Sequence, residues 1–114
     1  MDIAVIGSNN VDLITYIDRM PAQGETLEAP DFQMGCGGKG ANQAIAAGKL
    51  GADVLMMTSV GDDIFGENAR DNFVKHNVNT KYVFTAKKIA NGVATIIVDA
   101  SGQNRILINK GANE

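Results

Sequence analysis

The sequence predicts an α/β fold in which part of a doubly wound parallel sheet is joined to a second group of short strands. Two continuous apolar runs, Asp2–Gly7 and Val54–Val60, are typical of strands that are buried on both faces of a parallel sheet. Between them, the alanine-rich segment Ala41–Leu50 predicts a helix that ends at Gly51, which completes a right-handed βαβ unit. The remaining β-like segments do not fit the middle of that sheet and are expected to be antiparallel; they are residues 11–16, 32–34 and 92–98.

The stretch between the first strand and the first helix predicts two short strands separated by a loop. Val11–Tyr16 is the first of these strands and ends before Pro21. Pro21–Pro30 contains both prolines of the chain with Gly24 between them, so it is interpreted as loop. Phe32–Met34 can form a short strand directly before a run of glycines.

The second half of the chain predicts a capped helix followed by a hairpin. Asp62 or Asp63 is placed to cap a helix over Ile64–His76. Gly92–Val98 and Arg105–Ile108 are rich in β-branched residues and flank a turn-forming segment, which indicates a β-hairpin.

Composition narrows the class of protein. Apolar residues make up 45% of the chain and charged residues 20%, as in ordinary globular proteins. The formal charge of −3 gives no basic surface for nucleic acid, and no apolar run is long enough to span a bilayer. The first residues read as a strand rather than a signal peptide, and the single cysteine, Cys36, fits a reducing compartment, so a cytoplasmic location is expected. Cys36 is interpreted as a packed residue and His76 as a solvent-facing one, neither being catalytic.

The glycine-rich stretch Gly35–Asn42 is the clearest functional signal. Closely spaced glycines let the backbone approach a ligand, and Lys39 and Asn42 lie at the start of a helix, where free N–H groups favour oxygen-rich ligands. Gly35-x-Gly37-x-x-Gly40 also matches the dinucleotide fingerprint, which remains a weaker alternative because the glycines do not follow the first strand. The Walker A pattern fails, since Gly40 stands where Ser or Thr is required.

Asn10 and Asp12 form a second candidate group. They are two residues apart in an extended segment, so their side chains point the same way. A carboxylate and amides such as Asn10 and Asn42 can each engage sugar hydroxyls. Taken alone, Asn10 and Asp12 fit an Asx-turn after the first strand better than a binding site.

Five segments together carry a resemblance to a known family. In order and spacing they resemble the ribokinase-like (PfkB) carbohydrate kinases, most closely the branch of ribokinases and deoxyribokinases. The segments are Gly7-Ser8-x-Asn10-x-Asp12, Pro21-x-x-Gly24-Glu25-Thr26, Gly37-Gly38-Lys39-Gly40-Ala41-Asn42-Gln43-Ala44, Gly61-Asp62-Asp63 and Gly111-Ala112-Asn113.

The resemblance implies a Rossmann-like ribokinase fold with a small β-sheet lid. Residues 1–114 would be the N-terminal part of one such domain, with the lid strands near 11–16, 32–34 and 92–98 inserted in the α/β core. Members of this family are longer, and their ATP and Mg²⁺ sites, a monovalent-cation site and the catalytic base lie in the other part. The 114 residues alone are therefore expected to be inactive.

For function, the resemblance implies an ATP-dependent kinase acting on the 5-hydroxyl of a pentose, either ribose or 2-deoxyribose. It assigns Asn10 and Asp12 to sugar hydroxyls, and Asn10 in particular to the 2-hydroxyl. The glycine loop would supply backbone contacts at Gly37 and Gly38 and further contacts from Lys39, Gly40 and Asn42. The family also suggests a homodimer that pairs through the lid. The alternative is a non-catalytic sugar-binding or interaction module.

Overall fold

The computed structural model describes all 114 residues, Met1–Glu114, as two small sheets and two main helices. In chain order the elements are β1 Ile3–Ile6, β2 Asn10–Tyr16, β3 Asp31–Gly37, α1 Lys39–Lys49, β4 Val54–Gly61, α2 Ile64–Lys75, β5 Val78–Ala86, β6 Val93–Val98, β7 Asn104–Asn109 and a short 3₁₀ turn, Gly111–Asn113.

The first sheet is parallel, with strand order β1-β4-β5. Both helices pack onto it through one core, because the inward-facing residues of β4 and β5 lie against the alanines and Phe73 of the helices. The members of this core are Ala41, Ala44, Val54, Met56, Val60, Ala69, Phe73, Val78 and Val83. The predicted α/β architecture is confirmed.

The first strand is less buried than its apolar sequence predicts. Ile3 is 41% exposed and Ile6 is 78% exposed. β1 has a strand neighbour, β4, on one side only. The expectation that this run is buried on both faces is therefore wrong for these residues.

β5 is an element that the sequence analysis did not predict. It pairs in parallel with β4 and completes the first sheet. The polar run Asn79-Thr80-Lys81 interrupts its apolar pattern, and Val78 and Val83 are the two residues of this strand that are buried in the core.

The second sheet contains the strands that the sequence set apart, in the order β3-β2-β6-β7. The pairs β2–β3 and β6–β7 are antiparallel, and the second confirms the predicted hairpin. The central pair β2–β6 is parallel, so the expectation that these strands are all antiparallel is wrong. β2 and β6 begin at the same end of the sheet, where Val11 N donates to Gly92 O at 2.9 Å. They therefore run in the same direction.

The helix boundaries differ from the predicted ones by one or two residues. α1 begins at Lys39 rather than Ala41. Gly51 follows its C-terminus with φ of 92°, the left-handed conformation in which glycine commonly ends a helix. Asp63 is the residue that caps α2, because its carboxylate accepts a hydrogen bond from Gly66 N at 2.8 Å. His76 ends α2 as a half-buried residue with its Nδ1 2.9 Å from Asn72 O, so it does not simply face solvent. Neither helix has the length and apolar character needed to cross a membrane.

Candidate functional site

The glycine loop lies where α1 begins, directly against the connection between β1 and β2. A side chain at Gly40 would place its Cβ 2.8 Å from Gly7 Cα, and Ala41 N donates to Ser8 O at 3.0 Å. Gly38 has φ of 96°, and a Cβ there would lie 2.9 Å from Ser8 O. Packing against the β1–β2 connection is enough to explain why glycine is needed at positions 38 and 40. Contact of Gly38 and Gly40 with a ligand stays a prediction.

Gly37 creates the space that the Asp12 carboxylate occupies. A Cβ at Gly37 would lie 2.5 Å from Asp12 Oδ2 and 2.9 Å from Oδ1. Asp12 is half-buried, and this burial raises the pKa of its carboxyl, with no hydrogen bond or ion pair to offset the effect. The chain therefore holds an unpaired carboxylate beside the first glycine of the Gly37-Gly38 pair.

Asn10 lies on the same strand two residues before Asp12, and it pairs across the sheet with Gly37. Side chains two apart on a strand share a face, so the amide and the carboxylate are neighbours about 6–7 Å apart along β2. Asn10 Oδ1 accepts a hydrogen bond from Asn113 Nδ2 at 2.9 Å. Three of the predicted residues, Asn10, Asp12 and Gly37, are thus brought together.

Lys39 and Asn42 are exposed at the start of α1. Asn42 lines an open cleft of about 390 Å³ between α1 and α2, which Cys36 and His76 also line. Asn10, Asp12 and Lys39 do not line this cleft. Within these 114 residues the polar face of β2 therefore lies outside the cleft that Asn42 lines.

Cys36 behaves as a packed thiol. Its Sγ lies 3.2 Å from Asn68 Oδ1 on α2, and burial, with a smaller effect from the nearby Asp12 charge, raises the pKa of the thiol. A raised pKa keeps the thiol protonated and poorly nucleophilic.

Three residues at this site were missed by the sequence analysis. Asn9 is 1% exposed; its Nδ2 donates to Thr58 Oγ1 at 2.9 Å and to Ser59 O at 2.8 Å, which ties the start of β2 to the end of β4. Asn91 is equally buried and accepts from Gly61 N at 2.9 Å. Asn113, the last residue of the Gly111-Ala112-Asn113 motif, contacts Asn9 and Asn10. Each of these asparagines lies within two residues of a glycine, which in the sequence indicates no more than a turn. Their hydrogen-bond partners are distant in the chain, so the sequence carried no signal for these contacts.

The dinucleotide interpretation does not fit this geometry. The glycines follow β3, which pairs antiparallel with β2 in the second sheet, whereas the fingerprint requires the turn after the first parallel strand. No group of three or more histidine, cysteine, aspartate or glutamate side chains is placed to hold a metal ion.

The chain is similar to known proteins along its whole length. The pfkB family of carbohydrate kinases matches residues 1–114. A deoxyribokinase of Salmonella typhi is 60% identical over 114 residues, which is 100% of this chain and 37% of that protein. A ribokinase of Dictyostelium discoideum is 42% identical over 113 residues, which is 99% of this chain and 36% of that protein.

A solved structure shows the same fold. The ribokinase of Arabidopsis thaliana, complexed with ribose and ATP, superposes with a TM-score of 0.92 at 34% identity, covering 97% of this chain and 36% of the other. The chain thus spans little more than a third of the length of the relatives it matches. On the family match over its whole length, the chain belongs to the pfkB family of carbohydrate kinases.

Proposed function

We propose that the protein carrying this chain is an ATP-dependent kinase that phosphorylates the 5-hydroxyl of a pentose, and that these residues hold the sugar. The observation that carries the proposal is the Asp12 carboxylate, half-buried, without a partner and seated over Gly37. A carboxylate kept partly dehydrated and unpaired gains free energy when a ligand donates hydrogen bonds to it. Vicinal sugar hydroxyls are donors of that kind.

The amide of Asn10 complements this carboxylate. Its Oδ1 is already engaged by Asn113, which leaves its Nδ2 for a ligand on the face that Asp12 shares. A hydroxyl both donates and accepts, so one donor and one acceptor side by side suit a polyol. Gly37 and Gly38 would let the sugar approach the backbone, and Lys39, Gly40 and Asn42 would complete the site once the sugar is enclosed.

The names of two relatives suggest different pentoses as the substrate. The chain is 60% identical to a deoxyribokinase and 42% identical to a ribokinase. Asn10 favours ribose, because a buried amide without the 2-hydroxyl would lose a hydrogen bond at a cost of about 1–3 kcal/mol. We therefore propose ribose as the better substrate and 2-deoxyribose as the weaker one.

The other parts of the proposal concern residues outside this chain and its assembly. ATP supplies the phosphoryl group, and the base, Mg²⁺ and any monovalent cation would be held by residues beyond these 114. The second sheet would act as a lid over the sugar. Its outer strands carry exposed apolar side chains suited to pairing with a second lid in a cytoplasmic homodimer: Phe32, Met34, Ile106, Leu107 and Ile108.

The test is pentose-dependent release of ADP by the full-length protein. Ribose and 2-deoxyribose should each stimulate release above a no-sugar control, with ribose favoured in kcat/KM. Asp12→Ala should lower kcat/KM by about 30–150-fold, equivalent to 2–3 kcal/mol, whereas Asp18→Ala at an exposed position should change it by about twofold or less. Binding of pentose without ADP release would favour the non-catalytic module, and stimulation by neither sugar would overturn the proposal.

A further inference from the structure

Asn113 joins the end of the chain to the start of β2 through three hydrogen bonds. Asn9 N donates to Asn113 Oδ1 at 3.0 Å, and Asn113 Nδ2 donates to Asn9 O at 2.8 Å. The second hydrogen of the same Nδ2 goes to Asn10 Oδ1 at 2.9 Å. One amide side chain therefore pairs with both backbone groups of Asn9 and with the side chain of its neighbour.

These contacts decide which atom of each amide is oxygen and which is nitrogen. Amide orientations are normally ambiguous, but a backbone N–H can only donate and a carbonyl can only accept. Asn9 therefore fixes Asn113 with Oδ1 towards its N–H and Nδ2 towards its carbonyl. Since Nδ2 of Asn113 is a donor, the atom of Asn10 that faces it must be the acceptor Oδ1.

It follows that the other atom of the Asn10 amide, Nδ2, points away from Asn113. Nδ2 has no hydrogen-bond partner within the chain, and it is not among the buried atoms that lack one, so it reaches solvent. The open polar face of β2 thus presents an amide donor at position 10 and a carboxylate acceptor at position 12.

The surrounding backbone is shaped to keep Asn113 in place. The 3₁₀ turn is anchored by Ala112 N, which donates to Ala90 O at 2.9 Å, and Ala112 is 6% exposed. Gly92 leaves the space for the amide pair, because a Cβ there would lie 2.5 Å from Asn10 Oδ1 and would also collide with Asn113 Nδ2.

We propose that Asn113 is a positioning residue that holds the Asn10 amide with its Nδ2 as the donor towards the sugar. This rests on the proposed function for the nature of the ligand. Position 10 then recognises a lone pair of the 2-substituent, while Asp12 recognises hydroxyl hydrogens. Specificity at position 10 depends on a residue 103 positions away that does not touch the sugar.

Asn113→Asp keeps the shape of the side chain but removes both hydrogen bonds that Asn113 Nδ2 donates, to Asn9 O and to Asn10 Oδ1. Aspartate cannot donate to Asn10, so the Asn10 amide should turn to give Nδ2 to the new carboxylate and Oδ1 to the sugar. Ribose can adapt by donating its 2-hydroxyl, but 2-deoxy-2-fluororibose can only accept. The preference for ribose over the fluorinated sugar, measured as a ratio of kcat/KM values, should rise by about tenfold or more in Asn113→Asp.

Asn109→Asp is the matched control, because Asn109 is exposed at the end of β7 and makes no side-chain hydrogen bond. Its ratio should stay within about twofold of the wild-type ratio. A general loss of folding would lower kcat/KM for both sugars by the same factor and leave their ratio unchanged. An unchanged ratio in a folded, active Asn113→Asp variant would overturn the proposal.

A second measurement needs no sugar and so separates this proposal from the proposed function. In the ¹⁵N-labelled full-length protein, the side-chain NH₂ of Asn10 should exchange with solvent faster than that of Asn113, whose hydrogens are both bonded. The two signals are assigned by their loss in Asn10→Leu and Asn113→Asp. Slower exchange at Asn10 than at Asn113 would contradict the orientation, whether or not the protein proves to be a kinase.

Discussion

Replacement of Gly37 by alanine tests how the chain places the Asp12 carboxylate. The new Cβ would lie 2.5 Å from Asp12 Oδ2, 2.9 Å from Oδ1 and 3.0 Å from Cγ. Comfortable contact needs about 3.5 Å, so the carboxylate must move by about 1 Å. A displacement of that size at a site that orients a substrate can cost about 100-fold in rate. We expect kcat/KM for ribose to fall by about 30–100-fold in the full-length protein, mainly through a higher KM.

Gly35→Ala is a matched control, because Gly35 pairs with Asp12 across the strands but a Cβ there meets no atom within 4 Å. Both variants lie in β3, and neither glycine has a positive φ, so the backbone cost is similar. Gly35→Ala should keep kcat/KM within about twofold of wild type. The assay is pentose-dependent ADP release at varied sugar, with thermal unfolding of both variants to check folding. Equal KM values in the two variants would refute the reasoning.

Three further predictions concern Asn10, Asp12 and the isolated 114-residue polypeptide. Asn10→Met should shift the kcat/KM preference from ribose towards 2-deoxyribose, with a large loss on ribose and a smaller gain on deoxyribose, because methionine needs no hydroxyl partner; an unmoved ratio would show that Asn10 does not face the 2-hydroxyl. Burial raises the folded-state pKa of Asp12, so ionising it destabilises the fold at pH values above that pKa, and the effect vanishes below about 3.9, the unfolded value. Asp12→Asn, without sugar, should therefore melt at a higher temperature than wild type at pH 7 and at the same temperature near pH 3.5; equal melting temperatures at pH 7 would contradict this. The isolated 114-residue polypeptide should release no ADP in response to pentose, and sugar-dependent release by it would show that a base and a nucleotide site lie within these residues.

The elements with strong local signals could be predicted from the sequence. Both helices and β4 were placed to within one or two residues, because alanine content, an aspartate cap and a continuous apolar run are local features. β5 was missed because only Val78 and Val83 are buried in it, and the polar residues between them interrupt the apolar pattern that would indicate a strand. The parallel pairing of β2 with β6 could not be predicted, since it depends on where two distant segments leave the first sheet.

In the candidate site too, only the local features could be predicted from the sequence. Asn10 and Asp12 share a strand face, and their spacing alone indicated this. Asn113 and Gly92 were not identified, because their partners lie far away in sequence and only the folded chain brings the amide of Asn113 to Asn10. Lys39 and Asn42 were grouped with Asp12 by motif, yet the structure leaves both exposed on α1. Their part in sugar binding remains a prediction.

The central claim is that the polar face of β2 holds the sugar, and a crystal structure of the full-length protein with bound ribose tests it most directly. The account predicts ribose hydroxyl oxygens within about 2.6–3.2 Å of the Asp12 carboxylate and of Asn10 Nδ2, with Asn113 Nδ2 still bonded to Asn10 Oδ1. A ribose bound elsewhere, or one that leaves Asp12 and Asn10 facing solvent, would contradict it.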